Sequence, residues 1–265
     1  ELAAYYAERY RKDYHGEETP SPRRVMRAWK NGARIAARLA KAFAPGARLF
    51  EVGAGIGCTV KNLELLGFDA FGIEPNRGFQ RYTAEKLGAR VENKNLYELE
   101  PRPIADGVLL VHVIEHFASA RRALSHIHAL LRDGGKLYLE CPNLTAPFTY
   151  FPRMFHYAHV HNFSPKTLVA MAEVCGFRLE RMYTAPDDPN IEALFAKAEP
   201  RPLDRKLLAG HAEEVLAAIR RYGWWGYHLR PAYLARRAKK LAGYAWEYLA
   251  APYFERRLLS TLAHR

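Results

Sequence analysis

Several features are scarce in this 265-residue sequence, and each absence narrows the class of protein. Only three cysteines occur (Cys58, Cys141 and Cys175), each in apolar surroundings and without paired spacing, which argues against disulfides or a zinc site and for a reducing compartment. No apolar run approaches the roughly 20 residues of a membrane-spanning helix. The first residues also lack the basic and then apolar segments of a secretory signal. We therefore expect a cytoplasmic protein.

Acidic residues are also few, and the resulting charge is unevenly distributed. The formal net charge is +12, and residues 201–265 carry thirteen Lys/Arg against five Asp/Glu, which leaves only +4 for residues 1–200. The tail interleaves basic and aromatic side chains: Arg236, Arg237, Lys239, Lys240, Tyr244, Trp246 and Tyr248. This pattern suits a peripheral membrane surface or a polyanion, or else a helix packed on the core or on a second copy. The moderate charge favours the packed helix.

A glycine-rich stretch near residue 50 is the strongest local signal. The apolar run at 47–52 predicts a buried strand, and residues 59–66 read as a helix. Between them, Gly53, Gly55 and Gly57 occupy every second position. Such a turn brings backbone N–H groups close to a ligand where a side chain would collide. Taken alone, the stretch could also be an ordinary strand–turn–helix corner.

An acidic residue follows at a distance that supports ligand binding. Residues 66–74 predict a turn and a second strand ending at Glu74, about twenty residues beyond the glycines, where dinucleotide-type folds present a carboxylate to ribose hydroxyls. With Glu51 and the Gly-x-Gly-x-Gly spacing, this resembles the class I S-adenosylmethionine-dependent methyltransferases rather than the NAD enzymes. The resemblance continues through residues 106–117 and 131–139 and covers roughly residues 46–200.

The resemblance implies an α/β fold with a doubly wound, mostly parallel, seven-stranded Rossmann-like sheet whose final strand is antiparallel. Residues 1–45 would form an N-terminal helical cap, with helices over 3–14 and 22–43. Residues 46–200 would form the methyltransferase core, with an acceptor-pocket lid at 144–162. Residues 201–265 would form a helical extension.

Local signals place several boundaries. Ser164 and Pro165 predict the N-cap and first position of a helix. The Asp133-Gly134-Gly135 stretch predicts the end of a helix over 118–131. Residues 223–226 predict a break between tail helices.

The resemblance also implies that the chain binds S-adenosyl-L-methionine and releases S-adenosyl-L-homocysteine. Asn95 stands where the family has an acid that contacts adenine, and the backbone near His112 would hold the amino group of the cofactor. The predicted cofactor-binding residues are Glu51, Gly53, Ala54, Gly55, Gly57, Glu74, Pro75, Asn95, Leu96 and His112.

Methyl transfer from a sulfonium is an in-line displacement, so the protein must align a nucleophile and, where needed, remove its proton. Imidazole titrates near neutral pH, which makes His116 and His161 the preferred general bases. Glu115 and His159 complete the predicted catalytic set. For Glu115 a structural reading also exists, since an acid at the start of a helix is stabilised by the helix dipole.

A metal is the alternative for the same histidines. His112, Glu115 and His116, followed by His161, resemble an arrangement in the small-RNA 2′-O-methyltransferases and the ubiquinone-pathway O-methyltransferases. There an acid stands at the position of His112, and the Glu–His pair binds a divalent ion that positions the acceptor oxygens. Mixed nitrogen and oxygen ligands would suit Zn²⁺, Fe²⁺ or Mn²⁺ better than Mg²⁺. Because the first acid is absent here, a metal is not favoured and we predict no metal ligands.

The sequence therefore predicts a methyltransferase, and specifically an O-methyltransferase acting on a sugar hydroxyl of a glycan or on another small metabolite. Two alternatives stay open. An RNA ribose methyltransferase is favoured by the charge, but the chain lacks a recognisable RNA-binding module, so we do not favour a nucleic-acid partner. A catalytically silent cofactor-binding partner subunit would keep the glycines and Glu74 without turnover.

Overall fold

The structure is a computed structural model, and it describes residues 19–146, 155, 158–221, 223–229 and 231–264. The predicted helix over 3–14 lies outside the described residues, as do residues 147–154 and 156–157 of the predicted lid.

Seven strands form one sheet, as predicted. They are β1 (Arg48–Val52), β2 (Asp69–Ile73), β3 (Val91–Glu92), β4 (Ala105–Val111), β5 (Leu131–Pro142), β6 (Phe177–Met182) and β7 (Asn190–Lys197). Their order is β3-β2-β1-β4-β5-β7-β6. The β1–β2, β2–β3 and β4–β5 pairs are parallel, and β7 pairs antiparallel with both β5 and β6. The order and directions confirm the doubly wound sheet.

Helices occur before, between and after the strands. They are α1 (Pro22–Leu39), α2 (Cys58–Leu65), α3 (Arg77–Tyr82), α4 (Ala120–Leu130), α5 (Pro165–Val174), α6 (His211–Arg221), α7 (Trp224–His228) and α8 (Pro231–Ala263). A π-helical turn, Thr83–Leu87, extends α3. Among the described residues, none of these helices combines the length and apolarity required to cross a membrane.

Two compact units divide the chain: Glu1–Glu100 with Leu241–Arg265, and Pro101–Lys240. In the first unit, α1 lies directly on the start of α2. Gly32 permits this approach, because a Cβ at that position would lie 2.9 Å from the Cys58 carbonyl and the Thr59 amide nitrogen. Glycine at this position is therefore a packing requirement, even though it weakens a helix interior.

The end of α8 is part of the same unit and packs against it. Val25, Ile56, Phe79 and Leu258 share one buried cluster, and Phe254 lies against it. This packing agrees with the interpretation of the tail as a helix on the core, for the described part of residues 241–264.

Polar contacts fix α8 in this place. Arg27 Nε donates to Glu247 Oε2 at 2.8 Å, and the Arg27 guanidinium lies 4.9 Å from the centre of the Tyr244 ring. Farther along the helix, the Tyr82 hydroxyl donates to Glu255. Both acids of this segment therefore face the unit.

In the second unit, one predicted boundary was wrong. The Asp133-Gly134-Gly135 stretch does not end the preceding helix but lies inside β5. Helix α4 stops at Leu130, since Leu131 already pairs with Ala105, and the next partners, Gly107 and Lys136, are offset by a bulge. Sheet pairing thus outweighed the local glycine signal.

Two further boundaries concern the helices of this unit. Ser164 caps α5 in a reciprocal capping box with Thr167, and Pro165 occupies the first turn, as predicted. The predicted break at 223–226 was wrong in part, because Trp224–His228 forms the short helix α7. Helix α6 is anchored by His211, whose Nε2 lies 2.7 Å from the Ser164 hydroxyl.

Candidate active site

The glycine turn of the first unit has the backbone that the sequence predicts. Gly53, Gly55 and Gly57 have φ values of 71°, 57° and 71°, which residues with a Cβ atom rarely adopt. Gly57 begins α2, and a Cβ there would also collide with the methyl group of Thr83. The turn therefore depends on glycine both for its dihedral angles and for space.

Glu74 joins this turn to the end of β2. Its carboxylate is 3% exposed, and its two oxygens accept hydrogen bonds from the Gly55 N–H (2.8 Å) and the Asn76 N–H (2.9 Å). The Asn93 side-chain amide donates to the carbonyls of Glu74 and Pro75, both at 2.9 Å. The carboxylate is thus fixed against the glycine turn, and Asn93, which the sequence analysis did not select, holds the backbone that carries it.

Glu51 is a second buried carboxyl group, 4% exposed at the end of β1. Burial raises its pKa to about 8; the nearby charge of Glu74 adds to this rise, while hydrogen bonds from the Thr59 side chain and the Val60 backbone oppose it. Its Oε2 atom has no hydrogen-bond partner among the described residues. A positively charged group nearby would favour the ionised form.

Asn95 and Leu96 lie at the next turn. Asn95 Oδ1 accepts from the Tyr97 N–H (2.9 Å), and both its backbone and side-chain N–H groups donate to Glu98 Oε2 at 2.6 Å. Leu96 is buried. The Asn95 amide is therefore engaged in a capping box, and its contact with adenine stays a prediction.

His112 begins the candidate site of the second unit, directly after β4. Among the described residues it is the only one other than glycine with positive φ, 54°. Its Nδ1 lies 3.5 Å from Glu115 Oε1, and its Nε2 lies 3.3 Å from Glu140 Oε1. Burial opposes the charged form, but the contacts with the two carboxylates and their negative charge prevail and raise the pKa of His112 to about 10. The two carboxylates therefore favour the charged form of the ring.

Glu115 and His116 follow on a single 3₁₀ turn, Ile114–His116. The Glu115 side chain is 2% exposed, and neither carboxylate oxygen has a hydrogen-bond partner among the described residues. Although burial alone would raise the pKa of Glu115, His112 and His116 lower it. His116 Nδ1 lies 2.8 Å from the Ala158 carbonyl, so Nδ1 carries the hydrogen and Nε2 is the basic nitrogen.

The structure separates the two other predicted histidines. The His159 ring packs edge-on to the His116 ring, with centroids 5.0 Å apart, and donor atoms of Glu115, His116 and His159 all lie within 4.8 Å of one another. His161 is not in this group. Its backbone N–H donates to the Glu115 carbonyl at 3.1 Å, which makes it a neighbour that supports the turn.

Two buried acids on the neighbouring strands are close to this site, although they are not among the residues predicted from the sequence. Glu140 on β5 and Glu192 on β7 are direct cross-strand partners, 2% and 7% exposed. The Tyr138 hydroxyl lies 3.4 Å from a carboxylate oxygen of each. An acid inside the apolar runs 137–141 and 191–195 was the available signal. Glu140 matters most, because it is the second carboxylate that contacts His112.

The residues do not fit the metal arrangement that the resemblance implies. That arrangement needs an acid at position 112, but here the position carries a histidine, whose Nδ1 lies 3.5 Å from Glu115 Oε1. A divalent ion among Glu115, His116 and His159 would meet one carboxylate, and the adjacent His112 ring, whose charged form is favoured, would repel it.

A family model described as a methyltransferase domain matches residues 23–181. Among curated proteins, a ubiquinone biosynthesis O-methyltransferase of Rhodopseudomonas palustris is 29% identical over 103 residues, 37% of this chain and 41% of that protein. An uncharacterized methyltransferase of Geobacillus thermodenitrificans is 32% identical over 98 residues, 35% of this chain and 45% of that protein. The chain thus matches less than half the length of these relatives.

Solved structures share the fold at low sequence identity. A 1,6-didemethyltoxoflavin-N1-methyltransferase of Burkholderia thailandensis, with S-adenosylhomocysteine bound, is 18% identical with a TM-score of 0.54, covering 75% of this chain and 86% of that one. Magnesium protoporphyrin IX methyltransferase of Synechocystis, with S-adenosylmethionine bound, is 14% identical with a TM-score of 0.55, covering 75% and 98%.

Proposed function

We propose that this chain, which belongs to the methyltransferase domain family, transfers a methyl group from S-adenosylmethionine to an oxygen atom of a small-molecule acceptor. The observation that carries the proposal is the buried Glu74 carboxylate bonded to the amide of Gly55 inside a turn of three left-handed glycines. This combination offers backbone donors and one fixed carboxylate at the ends of adjacent parallel strands.

The first unit holds the cofactor in this proposal. Glu74 accepts from the ribose hydroxyls, and the turn from Gly53 to Gly57 admits the cofactor to close contact with its backbone. The unpaired Oε2 of Glu51 fits a positively charged group of the cofactor. Bound S-adenosylmethionine supplies an activated methyl group with a neutral leaving group.

For the proton acceptor we propose a histidine. His116 Nε2 takes the proton of the acceptor hydroxyl, because Nδ1 is bonded to the Ala158 carbonyl and the basic nitrogen is therefore fixed. Glu115 Oε1 lies 4.0 Å from that nitrogen, where its negative charge stabilises the imidazolium that forms. The His159 ring packs edge-on to the His116 ring.

An oxygen acceptor is supported by the similarity to a ubiquinone biosynthesis O-methyltransferase and by the availability of a histidine base. A hydroxyl needs proton removal during transfer, which gives His116 a purpose. Within this class we propose a sugar hydroxyl of a glycan or a hydroxyl of another small metabolite.

For the tail we propose a structural role, because Glu247 and Glu255 both bond to the first unit. Elsewhere on its surface α8 exposes Trp246, Tyr248 and Tyr253. Contact of that face with a membrane surface or a second copy stays a prediction, which liposome sedimentation and light scattering of the purified chain would test.

Calorimetry with S-adenosylhomocysteine, followed by transfer of a labelled methyl group to glycan, phenol and RNA pools, tests the function. We expect binding of the product and label in the glycan or phenol pool. Label only in RNA would replace this proposal with a ribose methyltransferase, and binding without label in any pool would indicate a silent partner subunit. A His116→Gln variant that binds the product but transfers no label would assign the base.

A further inference from the structure

His112 has a left-handed backbone conformation. Its φ of 54° is one that residues other than glycine seldom adopt, although histidine does so more often than most, and its backbone N–H donates to the Glu140 carbonyl at 2.8 Å. This conformation places one ring nitrogen beside Glu115 (3.5 Å) and the other beside Glu140 (3.3 Å). Both nitrogens need a hydrogen to face two carboxylates favourably, so the geometry selects the imidazolium form.

The contact is important because Glu115 needs a cation. The Glu115 carboxylate is 2% exposed and has no hydrogen-bond partner among the described residues. An ionised carboxylate in such a place is costly unless a positive charge compensates it. Two cations could do so: the ring of His112, or a divalent ion held by Glu115, His116 and His159, whose donor atoms lie within 4.8 Å of one another.

We propose that His112 is a built-in cation that replaces a divalent metal ion at this site, and that the residue at position 112 decides whether the Glu115–His116–His159 cluster takes a metal. The positive charge is then covalently part of the chain and is held by carboxylates from two structural elements. A divalent ion would gain little affinity from this cluster, because it would have to share the Glu115 carboxylate with the positively charged His112 ring.

Resting on the proposed function, a site without a metal ion also determines which acceptors can bind. A metal recognises adjacent oxygens by binding both, whereas an imidazolium that is already engaged with two carboxylates does not chelate. The acceptor would therefore need only one hydroxyl, and vicinal diols or catechols would have no advantage over single alcohols or phenols.

Two substitutions of His112 test whether this position controls metal binding, and neither test relies on enzymatic activity. The introduced residues in His112→Asp and His112→Asn have nearly the same shape, both tolerate a left-handed backbone, and they differ by one negative charge. The full chain, stripped of metals, would be titrated with Co²⁺ by visible absorption and with Mn²⁺ by calorimetry. We expect the Asp variant to bind most tightly, the Asn variant less so and the wild type least, with at least about a tenfold difference between the extremes.

Circular dichroism and thermal melting show whether each variant is folded. Stoichiometric metal binding by the wild type as tight as in the Asp variant would overturn the proposal, as would a folded Asp variant that binds no better than the wild type. If the His112→Asp variant fails to fold, metal titrations of the wild type and of a His116→Ala variant decide whether the cluster binds a metal. Metal bound by the wild type and lost in His116→Ala refutes the inference, and no binding by the wild type supports it. Failure of these metal titrations would leave cofactor binding intact, so it is distinguishable from failure of the proposed function.

Discussion

Replacing Glu74 by Gln separates recognition of the cofactor from support of the glycine turn. The two carboxylate oxygens accept from the N–H groups of Gly55 and Asn76 and are buried at the end of β2. An amide keeps the shape and one acceptor oxygen, but it loses the charge and turns an NH₂ group towards one of these donors. The substitution therefore weakens both the turn and any bond to ribose hydroxyls.

The expected magnitude follows from these contacts. A hydrogen bond to a charged acceptor contributes about 1.5–3 kcal/mol. Loss of one such bond to the ribose would weaken binding of S-adenosylhomocysteine by roughly 10- to 100-fold, since 1.4 kcal/mol corresponds to a factor of ten. The mismatch with a backbone donor would lower the free energy of unfolding by about 1–3 kcal/mol.

The assay is calorimetry with S-adenosylhomocysteine and with its 2′-deoxy analogue, on the wild type and on Glu74→Gln. If Glu74 bonds the ribose, the losses from the two changes are not additive, because both remove the same interaction. Glu92→Gln is the matched control, since Glu92 is an exposed acid on the adjacent strand β3, paired only at the surface with Lys94 at 2.7 Å. Unchanged affinity in Glu74→Gln, or fully additive losses, would refute the assignment of Glu74 to the ribose.

Four further predictions use other parts of the molecule. Gly57→Ala should lower the free energy of unfolding by about 2 kcal/mol or more and abolish measurable binding of S-adenosylhomocysteine, because a left-handed backbone and a steric collision coincide there; urea unfolding checks the stability. The raised pKa of Glu51, about 8 against an ordinary value of 4.5, means that the native state holds a proton that the unfolded state loses, so stability falls as pH rises from about 4.5 to 8. Glu51→Gln should remove most of that decline, and unfolding at pH 5 and pH 8.5 compares the two; an identical decline in the variant would contradict the assignment. His116→Gln should lower kcat by about 10²- to 10⁴-fold with unchanged product affinity, whereas a change in affinity alone would argue against a base. Glu247→Gln should cost only about 0.5–1 kcal/mol, because the ion pair with Arg27 is partly exposed, and a melting curve with S-adenosylhomocysteine binding as the second readout would detect any larger role.

The sequence was sufficient where local chemistry decides the structure. Three glycines at every second position after an apolar strand predicted the turn, since few other residues adopt the left-handed angles found at Gly53, Gly55 and Gly57. A serine followed by a proline predicted the start of α5, because a hydroxyl cap and a fixed φ act within one turn. The mixed direction of the sheet came from the family resemblance, and the strand pairing confirms it.

Predictions failed where pairing across the sheet competed with a local signal. The glycines at 134 and 135 predict the end of a helix, and Gly134 does have positive φ, 73°. They belong instead to β5, because Leu131 pairs with Ala105 and its carbonyl accepts from the Lys197 side chain at 2.7 Å. These partners are distant in sequence, so no local pattern could predict them.

The sequence by itself thus determined the class of fold and the cofactor turn, and it named the residues around which the site is built. Only the tertiary structure decided which charges meet. It brought Glu140 from β5 to the ring of His112, grouped His159 rather than His161 with His116, and placed the ring at position 112 between two buried carboxylates. The reason is physical: the protonation state of a side chain depends on charges a few ångströms away, and these come from segments that only folding places together.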